Sequence, residues 1–296
     1  MPASTITTVP RSRRSVLDTL RFVTGHPLTR GRPLRALGRY AHWQLQSRLC
    51  GEVVVDWISG ARLAVRTGMT GATGNIYCGL HEFADMAFLL HLLRPGDLFL
   101  DVGANVGSYT VLASKVCGAK TVAFEPDGAA AERLRQNIQL NDIEDLARVC
   151  QFVVGAETGE VAFTVGLDTT NHVTQGAAGP VRTAAVRRLD DTPGCGAPTM
   201  IKLDVEGYEE QVIAGAYSTL AAPSLLAIET ELQSPEVERA LLGLGFRRAY
   251  YDPFRRILTD EPGEVRASNG LYLRNPGEVL ARVRVAPVRS VVGVRL

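Results

Sequence analysis

The sequence has little that would tie it to a bilayer, an oxidising compartment or a structural metal. Its longest apolar runs, such as 53–55 and 87–90, fall far short of the ~20 residues that span a membrane. No apolar stretch follows Arg11, Arg13 and Arg14, so no secretory leader is expected. The five cysteines (Cys50, Cys78, Cys117, Cys150, Cys195) are odd in number and widely spaced, and no C-x-x-C pair occurs. That pattern argues against a disulfide framework and a zinc knuckle, and a reducing, cytoplasmic location is the expectation. Lysine is scarce, with 29 of the 32 basic residues being arginine. No internal repeat or long low-complexity tract is present.

What remains is an ordinary globular composition, 46% hydrophobic and 21% charged, which excludes wholesale disorder, collagen and coiled coil. A chain of 296 residues holds one large domain or two small ones. The net charge of +1 conceals an asymmetry. Residues 1–66 carry eleven Arg against three acids (+8) and residues 247–296 ten Arg against five acids (+5), leaving −12 for the middle. Basic ends are either a solvated surface or an attraction to an anionic substrate, carrier or membrane face.

Periodicity predicts helix over 34–49, a hairpin of 53–58 and 62–65 around Ser59-Gly60, and helix over 81–93 stopped by Pro95-Gly96. Three glycines in 68–74 predict a mobile loop between them, so that 1–95 is an accessory segment carrying a glycine-rich lid. From 96 the pattern alternates: strands at 98–102, 121–125, 148–154, 200–204 and 225–230, helices at 108–117, 129–140, 209–220 and 235–244. A hairpin strand at 160–165 and an antiparallel pair near 257–258 and 271–273 complete it. Strands alternating with helices of ten or more residues imply a doubly wound, mostly parallel α/β sheet with right-handed crossovers. The domain is expected over 96–275, with 276–296 an extension.

In such a sheet the ligand lies beyond the carboxyl ends of the strands, at the switch point. Three segments converge there: Asp101-Val-Gly-Ala-Asn-Val-Gly107, Glu125-Pro126 and Asp204-Val-Glu-Gly207. Gly103 and Gly107 allow a sharp turn and close approach to a ligand. Glu125, eighteen residues after Gly107, ends the second strand, where a carboxylate can accept both hydroxyls of a ribose. A pyrophosphate binder would prefer G-x-G-x-x-G. Here the loop is G-A-N-V-G, opened by Asp101 with Asn105 at its centre, and an acid facing it disfavours a polyanion. An ammonium or sulfonium suits it better, which points to S-adenosylmethionine (SAM) over NAD(P).

At these residues the chain resembles the FkbM-type class I methyltransferases. The resemblance runs through FLDVGANVGSYTVLAS (99–114), VAFEPD (122–127), NIQLN (137–141), IKLDVEGYEEQVIAGA (201–216) and upstream TGNIYCGLHEF (73–83), covering about 71–231. It implies a Rossmann-like fold and SAM-dependent O-methylation of sugar hydroxyls, glycolipids, oligosaccharides or natural-product scaffolds. The implied SAM contacts are Asp101, Gly103, Asn105 and Gly107 at the methionine part, with Glu125 at the ribose. Ala104 and Pro126 flank those positions.

Lys202, Asp204 and Glu206 alternate along the end of one strand and so face one side. They form either an ion pair that pins the switch point or the machinery that orients and deprotonates an acceptor hydroxyl, in which alignment matters as much as basicity. Asp204 with Glu229 or Glu231 could instead hold Mg²⁺, although a metal-free site is the first expectation. His172, on the polar insertion 168–175, is a further candidate base, with Asn171 beside it a candidate SAM or acceptor contact. Tyr77 and Glu82 are expected near the SAM amine, beneath the lid, while His81 and Glu82 could equally cap a helix. The expected partner is a small-molecule or glycan hydroxyl, with no nucleic acid and no membrane span, and a homo-oligomer is left open. Two rival functions are an NAD(P)-linked oxidoreductase, for which a Tyr-x-x-x-Lys pair is lacking, and a catalytically silent binding module.

Overall fold

The structure, a computed structural model, describes residues 16–164, 173, 181–231 and 234–296. The chain opens with α1 (Val16–Gly25) and α2 (Pro33–Cys50), then a hairpin of β1 (Glu52–Asp56) and β2 (Arg62–Arg66) turned at Ser59 and Gly60, both at positive φ. The glycine-rich stretch read as a mobile loop is instead the start of α3 (Thr70–Cys78). Its glycine serves close packing: a Cβ on Gly74 would lie 2.1 Å from the His81 ring. Asn75 then pins the helix, accepting from the His81 amide (2.7 Å) and donating to Ser108 Oγ (3.1 Å). Helix α4 (Phe83–Leu92) follows, buried along its whole length.

The α/β unit runs β3 (Leu98–Val102), α5 (Ser108–Val111) continuing as a π-helical turn Leu112–Val116, β4 (Lys120–Phe124), α6 (Gly128–Leu140) and β5 (Ala147–Cys150). Asp127 caps α6, accepting from the amides of Ala129 and Ala130 (2.9 Å each). The strand expected over 148–154 is split, because β6 (Val153–Val154) leaves the main sheet to join β7 (Gly159–Thr164) and β8 (Val181–Arg187) in a separate three-stranded sheet. Next come β9 (Met200–Leu203), α7 (Glu209–Ala214), α8 (Tyr217–Ala221), β10 (Ala227–Thr230) and α9 (Pro235–Gly243), the last capped by Ser234 with Pro235 at its first position. The chain ends with β11 (Arg247–Asp252), β12 (Ile257–Thr259), β13 (Gly270–Leu273), α10 (Pro276–Arg284) and the small hairpin β14 (Ser290–Val291) and β15 (Val294–Arg295).

The main sheet has the order β12-β11-β13-β10-β9-β3-β4-β5. Strands β5, β4, β3, β9 and β10 are parallel, while β13 is antiparallel to β10 and to β11. The antiparallel pair expected of β12 and β13 does not form, since β11 lies between them. One face packs under α4, the π turn and α10, the other under α7 and α9. The mostly parallel, doubly wound sheet is therefore as expected. Residues 276–296 add to the same core: Val279, Val283 and Leu296 are buried, and Arg289 donates to the carbonyls of Leu90 (3.0 Å) and Val116 (3.1 Å). No helix among the described residues is long and apolar enough to cross a membrane.

Candidate functional site

The chain turns at the ends of β3, β4 and β9 build one site at the switch point between β3 and β9. Gly103 sits at φ +89°, and a Cβ there would lie 1.8 Å from the Asp204 carbonyl oxygen. Only glycine lets the two loops touch. The amides of Gly103 and Ala104 both donate to the Phe124 carbonyl (3.0 Å each), tying the loop to β4. Gly107, at φ +91°, opens α5 where a Cβ would meet Leu134 at 2.4 Å. Asn105 holds φ +50°, and its Oδ1 accepts from the Val106 amide (2.7 Å).

The Glu125 carboxylate accepts from the amides of Asn105 (2.8 Å) and Asp127 (2.7 Å). A carboxylate offers about four acceptor positions, so capacity remains for a diol. Burial raises the Glu125 pKa to about 7 against the two amide bonds that favour its charged form. The neighbouring Pro126 carbonyl accepts from Arg182 on β8. Asp101 is buried and accepts from Thr110 Oγ1 (2.6 Å). Burial lifts its pKa to about 6, opposed by Lys202 and Thr110.

Beside this half lies a second, more highly charged half. Asp101, Lys202 and Glu229 are in register across β3, β9 and β10, so their side chains share one face. Lys202 is 2% exposed, ion-paired to Asp204, and its ammonium lies 4.6 Å from the centre of the Tyr109 ring. Tyr109 donates in turn to Glu82 (2.7 Å). Burial alone would discharge Lys202, but Asp204, Glu82 and Asp101 hold its pKa high. Burial likewise works to raise the Asp204 pKa, and the ammonium outweighs it and keeps it lowered.

Carboxylate oxygens of Asp204, Glu206 and Glu231 all lie within 4.8 Å of one another. Positive φ at Glu206 (52°) and Gly207 (94°) turns the loop back on itself. Glu231 is exposed at the rim of the cluster, and partial desolvation, then Asp204 and Glu206, raise its pKa to about 8. Deeper in, Glu229 is 1% exposed, and neither carboxylate oxygen has a hydrogen-bond partner among the described residues. Burial and then Asp85 push it well above the usual carboxylate range, and burial followed by Glu82 lifts Asp85 itself to about 7. A cavity of about 20 Å³ lined by Asp85, Glu229 and Asn269 has room for a water.

Asp101, Gly103, Ala104, Asn105, Gly107, Glu125 and Pro126 thus line up with Lys202, Asp204, Glu206 and Glu82 around one end of the sheet. Tyr77 packs edge-on to Tyr40 and Trp43, in a core that also takes in Ala104 and Val106 of the glycine loop. Glu82 precedes α4 but makes no side-chain cap bond, and the His81 ring packs on Phe22. Asn171 and His172 lie outside the described residues. Sequence reasoning missed Tyr109, Thr110 and Asp85, and weighed Glu231 only as a metal ligand. Asp85 did carry a signal, a lone acid in an otherwise apolar helix. Of the acids weighed for Mg²⁺, Glu231 clusters with Asp204 and Glu206 while Glu229 lies a row below, and the Lys202 ammonium already balances charge on Asp204.

A methyltransferase FkbM domain matches residues 101–263, more than half of the chain. The chain is 24% identical over 144 residues to hexuronic acid methyltransferase AglP of Haloferax volcanii, covering 48% of this chain and 59% of that protein. It is 31% identical over 171 residues to 31-O-demethyl-FK506 methyltransferase FkbM of Streptomyces tacrolimicus, covering 45% and 65%. The match therefore spans less than two thirds of either relative. Among solved structures, P. horikoshii TYW2 in complex with MeSAdo is similar at TM-score 0.42 and 14% identity, over 86% of this chain and 96% of that one. The domain match covers more than half of the chain, and this chain belongs to the FkbM methyltransferase family.

Proposed function

We propose that the chain transfers a methyl group from SAM to a hydroxyl oxygen on a saccharide or natural-product scaffold. The observation that carries the reading is the strand-end site itself, where Gly103 and Gly107 let the loops pack closely and Asp101, Glu125 and Asp204 converge. Such a site suits a cationic adenosyl ligand and repels a pyrophosphate. When bound, SAM supplies a methyl carbon on a sulfonium, which leaves as a neutral thioether once an oxygen lone pair attacks the carbon.

The free acceptor positions on Glu125 receive the ribose hydroxyls, and the 101–107 loop faces the methionine portion. Asp204, kept ionised by Lys202, accepts a hydrogen bond from the acceptor hydroxyl and aligns its oxygen. Glu231, with a pKa near 8, takes the hydroxyl proton as the C–O bond forms, being well matched to neutral or mildly alkaline pH. The acceptor class is supported by the two relatives, one named for a hexuronic acid and one for an O-demethyl product.

The test is transfer from methyl-labelled SAM to a panel of uronic acids, neutral sugars and hydroxylated scaffolds. Label on oxygen is expected, with log kcat rising one unit per pH unit up to about pH 8, as the general base loses its proton. Glu231→Gln should lower kcat by about 10²-fold with KM little changed, and flatten that rise. Label confined to nitrogen, or a Glu231→Gln profile identical to the wild type, contradicts the assignment.

A further inference from the structure

Helix α2 has two opposed faces. Ala36, Trp43 and Ser47 point inward and are buried, with Trp43 2% exposed. On the opposite side Leu34, Gly38, Ala41, Leu45 and Leu49 recur at the four-three-four-four spacing of one helical stripe, and all five are exposed. Leu34 is 82% exposed, Leu45 60% and Leu49 76%. Nothing lies within 4 Å of a Cβ built on Gly38. Single exposed leucines need no explanation, but an aligned apolar row over the length of a helix does.

The row has a charged border of one sign. Arg35 and Arg48 flank it on opposite edges, and Arg30 and Arg32 precede it. All four are exposed, and none has an ion-pair partner among the described residues. Through residue 66 the sequence holds eleven arginines against three acids. Leucines between arginines fit a surface that is apolar below and anionic above, with the long arginine stems lying along the boundary. A second copy of the chain would bring like charges together on both borders, whereas acidic lipid headgroups complement them.

We infer that the outward face of α2 docks on an anionic lipid bilayer, with Leu34, Leu45 and Leu49 entering the headgroup boundary and Arg30, Arg32, Arg35 and Arg48 meeting the headgroups. This contact holds whichever hydroxyl is methylated and does not rest on the methyl-transfer reading. Its effect is to confine the enzyme to two dimensions beside whatever a membrane presents.

The test is flotation of the full chain with phosphatidylcholine vesicles, with and without phosphatidylglycerol, at low and high salt. Flotation is expected only with the acidic lipid and should fall on adding salt. Leu45→Asp/Leu49→Asp should reduce the bound fraction about tenfold, while Val285→Asp, at an exposed position outside this face, should not change it. Circular dichroism confirms that the variants are folded. Absence of flotation with acidic vesicles, or equal flotation of the leucine variant, overturns the inference. So does a dimer in light scattering that Leu45→Asp/Leu49→Asp converts to monomer, since the face would then be an interface between copies.

Discussion

The two halves of the strand-end site solve the problem of burying acids in different ways. On the β3–β4 side each carboxylate is held by local donors, Asp101 by the Thr110 hydroxyl and Glu125 by two backbone amides. On the β9–β10 side the one ammonium, that of Lys202, is paired to Asp204, Glu206 and Glu231 cluster with Asp204, and Glu229 lies in register beside Lys202. The first half is hydrogen-bonded and preorganised, as a binding surface should be. In the second half, carboxylates that cannot all ionise together keep one group able to accept a proton near neutral pH. In the proposed function, binding and chemistry are thereby separated along a single sheet.

Removing the one cation breaks the contrast most severely. Lys202→Met leaves the acids of the second half uncompensated and should cost about 3–5 kcal/mol in urea unfolding, with Lys202→Met/Asp204→Leu recovering much of the loss. An unchanged midpoint for the single variant would mean that the pair contributes nothing. Gly103→Ala attacks the junction of the halves, since its Cβ meets a backbone oxygen at an unfavourable φ. It should cost on the order of 3 kcal/mol and weaken SAM binding, both read from the same thermal titration.

The smallest effect concerns protons. Asp85 and Glu125 have folded-state pKa values of about 7, above their values in an unfolded chain. Between about pH 6.5 and 8.5 the folded protein must shed protons the unfolded chain has already lost, so stability falls as pH rises, by roughly 1–2 kcal/mol from these two groups, with Glu231 and Glu229 acting in the same direction. His26 and His91, whose folded pKa values are lowered to about 4 and about 3, are essentially neutral in the folded state throughout this window. They lose protons only on the unfolded side, near its lower edge, and offset the trend there only in part. Chemical denaturation across the window measures the slope, and Glu125→Gln should reduce it.

The core strands and the donor loop were legible because their signals are local: a buried apolar run, a glycine turn and a helix in sequence. The predicted bounds of β3 match those observed, and the Asp101, Gly103 and Glu125 cluster lies at the expected strand ends. Glycine misled at 68–74, where Gly74 serves contact with His81 and not freedom of the backbone. Strand β11, RRAYYD, has charged ends and no apolar run, so its insertion beside β13 is set by tertiary pairing alone. The proton-accepting role proposed for Glu231 was hidden for a related reason. It depends on crowding by Asp204 and Glu206, which the loop at Glu206 and Gly207 creates only in three dimensions.

Calorimetric titration with SAM and with NAD, on the wild type and on Glu125→Ala, tests the donor site most directly. SAM should bind the wild type at one site, NAD should give no binding heat, and Glu125→Ala should weaken SAM about tenfold or more through lost charge-assisted hydrogen bonds to the ribose. NAD binding in place of SAM, or full SAM affinity in Glu125→Ala, would contradict the account.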